Sequence, residues 1–164
     1  MSYFSKFPYD GLRIGNEYKY VTDIFRRVYT KLPTLHYSEI ETITVPEGYT
    51  IEQASDVYYG SPEYHWVIAL INNYVDIREE WPKSSSDLTR YCELKYGGLE
   101  QLYQTHHYEN EDGVIVSEDY IGNKTPVSNI EYEEKLNDVK REIKMLNPKY
   151  LTDFVSRVTT ELTR

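Results

Sequence analysis

The sequence predicts an α+β fold, because short strand patterns and amphipathic helix patterns alternate along a chain of moderate length. The chain has 164 residues, which is close to the usual size of one domain. Apolar residues recur at helical spacing in several segments, whereas Ile40 to Val45 alternate among β-favouring threonines. A chain of this length buries roughly 70% of its unfolded surface, which is enough for a hydrophobic core.

Residues 1–38 are predicted to form an extended aromatic arm followed by a short helix or strand. The arm carries Tyr3, Phe4, Phe7 and Tyr9, and the turn-like pair Asp10-Gly11 follows it. Such an arm either folds back onto its own domain or docks on a neighbouring protein. Beyond it, helical spacing with Thr22 as a candidate N-cap predicts a helix that ends at Pro33, although Val28 to Thr30 equally suit a strand. The apolar positions of that helix are Val21, Ile24, Phe25, Val28 and Leu32.

Residues 39–97 are predicted to form a strand, two helices and a further helix. The strand runs from Ile40 to Val45 and ends in the turn Pro46-Glu47-Gly48. Thr50 is positioned to cap the first helix and Gly60 to end it, and Ser61-Pro62 then begins a second helix that ends at Asn72. The further helix begins at Ser84 to Ser86 and ends before Gly97-Gly98. Cys92 on this helix is interpreted as a small core residue in preference to a reactive thiol.

Residues 98–164 are predicted to form a β-hairpin and a C-terminal helical region. The hairpin runs from His106 to Val116, with Asp112-Gly113 as its turn. Glu131 to Val139 has helical spacing, and the next segment, Lys140 to Leu146, suits either more helix or a strand, of which the strand is favoured. Asn147-Pro148 then begins an amphipathic helix whose apolar positions are Leu151, Phe154, Val155, Val158 and Leu162.

Composition excludes several classes of function. The chain has 18 Lys and Arg against 27 Asp and Glu, a formal charge of −9, which disfavours binding to nucleic acid. One cysteine permits no internal disulfide and no cysteine-type zinc site. The N-terminus lacks a signal-peptide pattern, and the longest apolar run, Trp66 to Ile71, is too short to span a bilayer. We therefore expect an unexported chain without a membrane segment.

The 18 tyrosines are the most unusual feature of the composition. Tyrosine combines a rigid apolar ring with a hydroxyl group that tolerates water. The excess therefore suits half-buried positions in a small core, contacts with many partners, or stacking on sugars. Composition alone leaves these three interpretations open.

The sequence lacks the spacings that common catalytic and metal sites need. His36, His65, His106 and His107 are the candidate neutral-pH bases or imidazole ligands. His106 and His107 are adjacent, so on a regular strand they are expected to point to opposite faces and not to chelate one ion. Nucleophile, zinc, phosphate-loop and calcium motifs do not occur. We therefore expect no enzymatic activity, no cofactor and no metal, although a glycosidase-like carboxylate pair is a matter of spatial distance that sequence does not reveal.

The segment from Val45 to Gly60 resembles the opening of a LysM module, in which a strand and a Gly-x-Thr turn lead into a short helix with a Tyr-Gly stop. The matching positions, together with a core tryptophan and the asparagine after the second helix, are Gly48, Thr50, Tyr59, Gly60, Trp66 and Asn72. The resemblance implies a β-α-α unit and, in most such modules, binding of N-acetylglucosamine polymers. Val75 to Pro82 stands where these modules place a closing strand.

A longer set of segments resembles the LysM-like baseplate wedge subunit of contractile-tailed bacteriophages. The resemblance covers most of the chain and is least evident in residues 106–128. The matching segments are Phe7 to Asp10, Asp23 to Val28, Tyr59 to Ile68, Asn72 to Asp76, Trp81-Pro82, Lys95 to Gly97, Lys140 to Ile143 and Asn147-Pro148.

The second resemblance implies a non-enzymatic virion protein, made in the host cytoplasm, that joins neighbouring wedge subunits of a tail baseplate. The implied partners are wedge core-bundle subunits, a sheath-initiator subunit and neighbouring wedges, with several copies in a six-fold baseplate. Candidate partner-binding residues are Tyr3, Phe4, Phe7, Tyr9, Trp81 and Phe154. The alternative functions are a peptidoglycan- or chitin-binding module and, more remotely, a muramidase-like enzyme.

Overall fold

A computed structural model describes residue 5, residues 7–23 and residues 37–163. The fold class is α+β, as the sequence predicts, with seven α-helices and several small antiparallel sheets in this part of the chain. The strands are β1 (Tyr9–Ile14), β2 (Glu17–Thr22), β3 (Ile40–Thr44), β4 (Thr105–Asn110), β5 (Ile115–Val116), β6 (Lys124–Ser128) and β7 (Glu142–Leu146). The helices are α1 (Ile51–Tyr59), α2 (His65–Ile71), α3 (Ile77–Glu80), α4 (Ser85–Tyr96), α5 (Leu99–Leu102), α6 (Asn129–Val139) and α7 (Leu151–Thr163).

The chain divides into two compact units that interleave in sequence. The first unit comprises Met1–Ile43, Thr50–Ile77 and Ile143–Arg164, and the second comprises Thr44–Tyr49 and Arg78–Glu142. The chain leaves the first unit at Thr44, re-enters it at Thr50, leaves it again at Arg78 and returns at Ile143. The division into three consecutive segments, 1–38, 39–97 and 98–164, stays a prediction.

In the first unit, β3 and β7 form a two-stranded sheet beside α1 and α2. The amide of Asn147 donates to Glu39 O, and the amide of Val45 donates to Arg141 O. These two bonds lie at opposite ends of the strands, so the pair is antiparallel. Val75 to Pro82, which stands at the position of a closing strand in the sequence, instead contains the short helix α3. The segment Lys140 to Leu146 is favoured as a strand, and Glu142–Leu146 forms β7, whereas its first two residues form a turn.

The ends of α1 and α2 agree with the sequence predictions. Thr50 and Gln53 form a reciprocal capping box at the start of α1, and Gly60 ends it with a φ of 74°. Ser61 caps a turn of 3₁₀ helix, Pro62–Tyr64, that leads into α2. Asn72 ends α2. Helix α1 is therefore capped at both ends, whereas the Ser61 cap lies one 3₁₀ turn before the start of α2.

The core of the first unit is built from α2, α7 and the end of β7. Trp66 stacks on Phe154 with ring centroids 6.4 Å apart. Helix α7 begins after the Asn147-Pro148 pair, as predicted, and its apolar face lies inward. The buried members of this cluster are Phe7, Trp66, Val67, Ile71, Leu146, Leu151, Phe154, Val158 and Leu162.

The second unit contains a three-stranded sheet in the order β5-β4-β6 together with helices α3 to α6. Strands β4 and β5 form the predicted hairpin, and Gly113 in its turn has a φ of 74°. Pro126 lies in β6 at the edge of the sheet, where a missing amide donor is tolerated. The buried residues Leu88, Cys92 and Leu102 form a small core. Burial of Cys92 confirms its interpretation as a core residue and raises the pKa of its thiol.

The N-terminal region contains a β-hairpin, formed by β1 and β2, in place of the predicted extended arm. Asp10-Gly11 lies within β1, and the turn is instead formed by Gly15-Asn16. The helix predicted over residues 21–32 is wrong at its start, since Val21 and Thr22 belong to β2. The remainder of that prediction, residues 24–32, lies outside the described residues. Within the described part of the chain, no helix is long and apolar enough to cross a membrane.

Candidate interaction surface

The β1-β2 hairpin exposes side chains on both of its faces. Its antiparallel register pairs Tyr9 with Thr22 and Ile14 with Glu17. Because side chains alternate across a strand, one face carries tyrosines and the other carries aliphatic side chains between charged ones. The tyrosine face has Tyr9, Gly11, Arg13, Tyr18, Tyr20 and Thr22, and the aliphatic face has Asp10, Leu12, Ile14, Glu17, Lys19 and Val21.

Burial within the chain does not account for this hairpin. From Tyr9 to Val21 every residue is exposed, and Tyr20 is 79% exposed. The Tyr20 ring lies over Gly11, where it covers backbone that has no side chain of its own. A two-stranded hairpin without packing on one face is at best marginally stable in water. Two exposed faces with large apolar side chains are therefore the strongest candidate interaction surface in the described part of the chain.

Among the predicted partner-binding residues, Tyr9 lies on this surface at 73% exposure. Phe7 and Phe154 are instead buried in the core of the first unit. These two residues were predicted to contact a partner. Their rings instead pack against other core side chains of the first unit, so they are not available at the surface. Tyr3 and Phe4 lie outside the described residues.

Trp81 is also an internal residue and not a contact residue as predicted. Its side chain is buried, and its indole Nε1–H donates to the carbonyl oxygen of Tyr49 at 2.8 Å. A buried indole needs such an acceptor. Trp81 therefore joins the segment Thr44–Tyr49 to the rest of the second unit.

Three of the six LysM-like motif residues act on the backbone. Gly48 and Gly60 both have a φ of 74°, a conformation that favours glycine. The hydroxyl of Thr50 accepts the amide of Gln53 at 3.2 Å, and the side chain of Gln53 accepts the amide of Thr50 at 2.9 Å. These three residues therefore specify the turn before α1 and both ends of α1.

The other three motif residues, Tyr59, Trp66 and Asn72, hold the first unit together. The hydroxyl of Tyr59 accepts the amide of Leu146 at 3.0 Å, and burial raises the pKa of Tyr59 to about 12. The amide group of Asn72 donates to the carbonyls of Ile68 and Lys144 and accepts the amide of Lys144. Trp66 lies in the core, as the sequence predicts. The geometry assigns all six residues a role in the fold.

Ionisable groups in the second unit form satisfied structural pairs. Glu133 is 5% exposed, and it accepts bonds from Lys95 at 2.6 Å and from the Tyr96 hydroxyl at 2.7 Å. Burial alone would raise the pKa of Glu133, but these two donors outweigh it and hold the pKa below its usual value. Desolvation, with the bond to Glu133, raises the pKa of Tyr96 to about 12. Both hydrogen bonds that Glu133 accepts connect α4 to α6.

One depression lies on the surface of the first unit. This depression between β7 and α7, lined by Glu39, Tyr150, Asp153 and Arg157 among others, encloses about 10 Å³, the space of a single water molecule. No group of three or more His, Cys, Asp or Glu side chains in the described ranges is arranged to hold a metal ion. His36 lies outside these ranges, and His65 bonds to the carbonyl oxygen of Pro62.

His106 and His107 depart from the predicted arrangement. The sequence predicts that they point to opposite faces of a strand, yet their Nδ1 atoms lie 2.8 Å apart. The pairing of β4 with β6 is irregular between Thr105 and His107, which is where a β-bulge shifts the register. The bulge breaks the side-chain alternation, so both rings reach the same side.

Comparisons of this chain with protein-family models and with curated proteins give no match. A functional proposal therefore rests on the residues of the chain and on their geometry.

The exposed hairpin had a signal in the sequence. Gly15-Asn16 is a two-residue turn of a type common in hairpins. It lies between Leu12 and Ile14 on one side and Tyr18 and Tyr20 on the other, each pair at strand spacing. Asp10-Gly11 also has the composition of a turn, and the sequence therefore offers two possible positions for the turn.

Proposed function

We propose that this chain is a structural subunit of a contractile phage tail baseplate, where it joins neighbouring wedge subunits. The single observation that carries the proposal is the β1-β2 hairpin with two exposed faces. The resemblance of most of the chain to LysM-like wedge subunits supports the class of assembly. In this function the chain is present in several copies in the virion and catalyses no reaction.

The hairpin suits a docking element because its exposed side chains gain free energy only on contact with a partner. Complete burial of one large apolar side chain is worth about 1.5–3 kcal/mol. Leu12, Ile14 and Val21 share the aliphatic face, so a partner that covers this face alone gains several such contributions before the cost of association. The tyrosine face tolerates a wetter contact. A hairpin with two such faces therefore suits insertion between two subunits.

The charge of the chain indicates the nature of the partner surfaces. A formal charge of −9 favours partners with basic surfaces and speeds association with them. Salt screens such attraction. We therefore expect binding to wedge subunits to weaken as the salt concentration rises, which sedimentation at two ionic strengths measures.

A gene deletion tests the proposal directly. Host lysates infected with a phage that lacks this gene are expected to contain heads and tail parts but no complete baseplates by electron microscopy, and purified wild-type tails are expected to contain the chain by mass spectrometry. Complete tails without the chain would contradict the proposal.

A pair of variants tests the role of the hairpin. Tyr18→Ser with Tyr20→Ser is expected to reduce incorporation into baseplates by about tenfold or more, because two anchor rings of one face are lost. The urea unfolding midpoint of the isolated chain should remain nearly unchanged, since both rings are exposed. Ile121→Ser is the matched control, because Ile121 is 98% exposed and lies outside the hairpin. Equal incorporation of both variants would contradict the role assigned to the hairpin.

A glycan-binding module is the second candidate function, favoured by the order β3, α1, α2 and β7 within one unit. This order and the antiparallel sheet resemble a complete LysM module with a segment inserted before its last strand. Titration calorimetry with a chitin oligomer at millimolar concentration tests this candidate. Measurable heat with one site per chain supports it, and no heat excludes it.

A further inference from the structure

The β-bulge in β4 creates a pair of facing imidazoles. The Nδ1 atoms of His106 and His107 lie 2.8 Å apart, and the two rings are nearly perpendicular at 83°. Tyr132 on α6 contacts both rings. It stacks on His106 with centroids 4.1 Å apart and meets His107 edge to face at 5.6 Å.

Hydrogen bonds determine which nitrogen of each ring carries a proton. Lys135 donates to both carboxylate oxygens of Glu109, at 2.8 and 2.6 Å. A carboxylate that pairs with a lysine accepts hydrogen bonds, so Nε2–H of His107 donates to Glu109 at 3.1 Å. With its proton on Nε2, His107 accepts at Nδ1, and Nδ1–H of His106 donates to it.

We propose that His106 and His107 form a two-nitrogen site for a divalent transition metal of tetragonal preference, with Cu²⁺ as its best occupant. A metal about 2.0 Å from each of two imidazole nitrogens that subtend a right angle holds them about 2.8 Å apart. The observed separation of the Nδ1 atoms is the same. To bind the ion, each ring rotates so that its Nδ1 lone pair turns from the other nitrogen toward the apex of that right angle, a rotation of about 45°.

The surroundings of the pair match those of metal-binding histidines. The bond from His107 Nε2–H to Glu109 is the carboxylate contact that orients a ligating imidazole and raises its basicity. His106 is exposed, so an ion reaches the site from solvent. On metal binding, His106 moves its proton from Nδ1 to Nε2, and no net charge is lost from the ring.

Two protein ligands leave the other positions of the ion to water. The described residues provide no cluster of three donors, so the affinity is that of an open two-imidazole chelate. Copper leads the affinity order of divalent first-row metals for nitrogen ligands. The charged and titratable neighbours from all packed elements are Glu109 on β4, Lys135, Tyr132 and Glu133 on α6, and, through Glu133, Lys95 and Tyr96 on α4.

Titration of the full chain with Cu²⁺, followed by visible absorption and electron paramagnetic resonance, tests the proposal. One equivalent of Cu²⁺ is expected to give the hyperfine pattern of two nitrogen ligands. His106→Ala and His107→Ala should each weaken binding by about tenfold or more and remove the two-nitrogen pattern, whereas the control His65→Ala should leave both unchanged. Glu109→Gln should weaken binding about tenfold, and Glu111→Gln is its control on the same hairpin.

A second measurement separates loss of the site from loss of the fold. In the unsubstituted chain, paramagnetic Cu²⁺ should broaden the ring resonances of His106, His107 and Tyr132 before those of His65. Broadening that begins elsewhere, or a two-nitrogen pattern that survives either single histidine variant, would overturn the proposal.

Discussion

At the scale of single residues, Asn72 connects two segments that lie far apart in sequence. Its side chain caps the last turn of α2 through Ile68 and forms two bonds with the backbone of Lys144 in β7. The amide side chain offers both a donor and an acceptor to the backbone of this one strand residue. Asn72 therefore fixes the position of β7 relative to α2 within the first unit.

Replacement of Asn72 by alanine is expected to lower the free energy of unfolding by about 2 kcal/mol, because each lost hydrogen bond contributes about 0.5–1.5 kcal/mol. Urea unfolding monitored by circular dichroism measures the change. Asn123→Ala removes one exposed bond to Glu111 and should change stability by less than about 0.5 kcal/mol. Equal effects of the two variants would show that the bonds of Asn72 to Ile68 and Lys144 do not stabilise the fold.

Glu133 makes stability depend on pH at the same scale. Its pKa is lowered in the folded chain, so its contribution is complete above the ordinary carboxyl pKa of about 4.5 and is lost as the pH falls through the lower folded value. The pKa of Lys95 is raised, chiefly by the bond to Glu133. The contribution of Lys95 is therefore complete below its ordinary pKa and is lost only in strong base.

Glu133→Gln is expected to destabilise the chain by about 2 kcal/mol at pH 7, the value of a charge-assisted hydrogen bond. The difference from the unsubstituted chain should shrink as the pH falls below 4.5 and through the lowered pKa of Glu133, because the carboxyl is then protonated in the folded chain. Urea unfolding over a series of pH values from 7 downward measures this. Glu134→Gln is the matched control, since Glu134 is its exposed neighbour on α6, and a difference that persists at low pH would contradict the assignment.

At the scale of secondary-structure elements, helix ends were the most predictable feature of the chain. Thr50, Gly60 and Ser61 carry their capping information in their own chemistry, and the structure uses each as predicted. Strand pairing was less predictable, because the Gly15-Asn16 turn competed with Asp10-Gly11. The bulge at His106 has no local signature, since it depends on the register between β4 and β6.

Gly60→Ala tests the end of α1. A side chain at a φ of 74° is strained even though open space surrounds the position, so the variant should lose about 1 kcal/mol of stability. Gly11→Ala is the control, because Gly11 has no left-handed conformation and an added methyl group meets the Tyr20 ring only at ordinary contact distance. Thermal unfolding measures both, and equal losses would contradict this account of Gly60.

At the scale of the whole molecule, the chain consists of two units, each with its own apolar core. Residues of the LysM-like segment and of the C-terminal helix build the first core, and α4 with α5 builds the second. The side chains of the hairpin from Tyr9 to Val21 belong to neither core. In its proposed role, the hairpin is stabilised by contacts with partner subunits in the assembly and not by contacts within the isolated chain.

Hydrogen exchange is expected to report this difference. Backbone amides that pair β1 with β2 should exchange rapidly in the free chain and become strongly protected in assembled baseplates, because a two-stranded ribbon opens easily unless it is covered. Amides of α2 should be protected in both states. Equal protection of the hairpin in both states would contradict the docking role.

The sequence by itself determined the α+β class, the limits of α1, α2, α4 and α7, and the burial of Trp66 and Cys92. These features follow from signals that lie within a few residues of one another. Only the tertiary structure decided that β3 pairs with β7, that Phe154 and Trp81 are core residues, and that His106 faces His107. Each of these depends on contacts between residues that are distant in sequence or on strand register, which a local pattern does not encode.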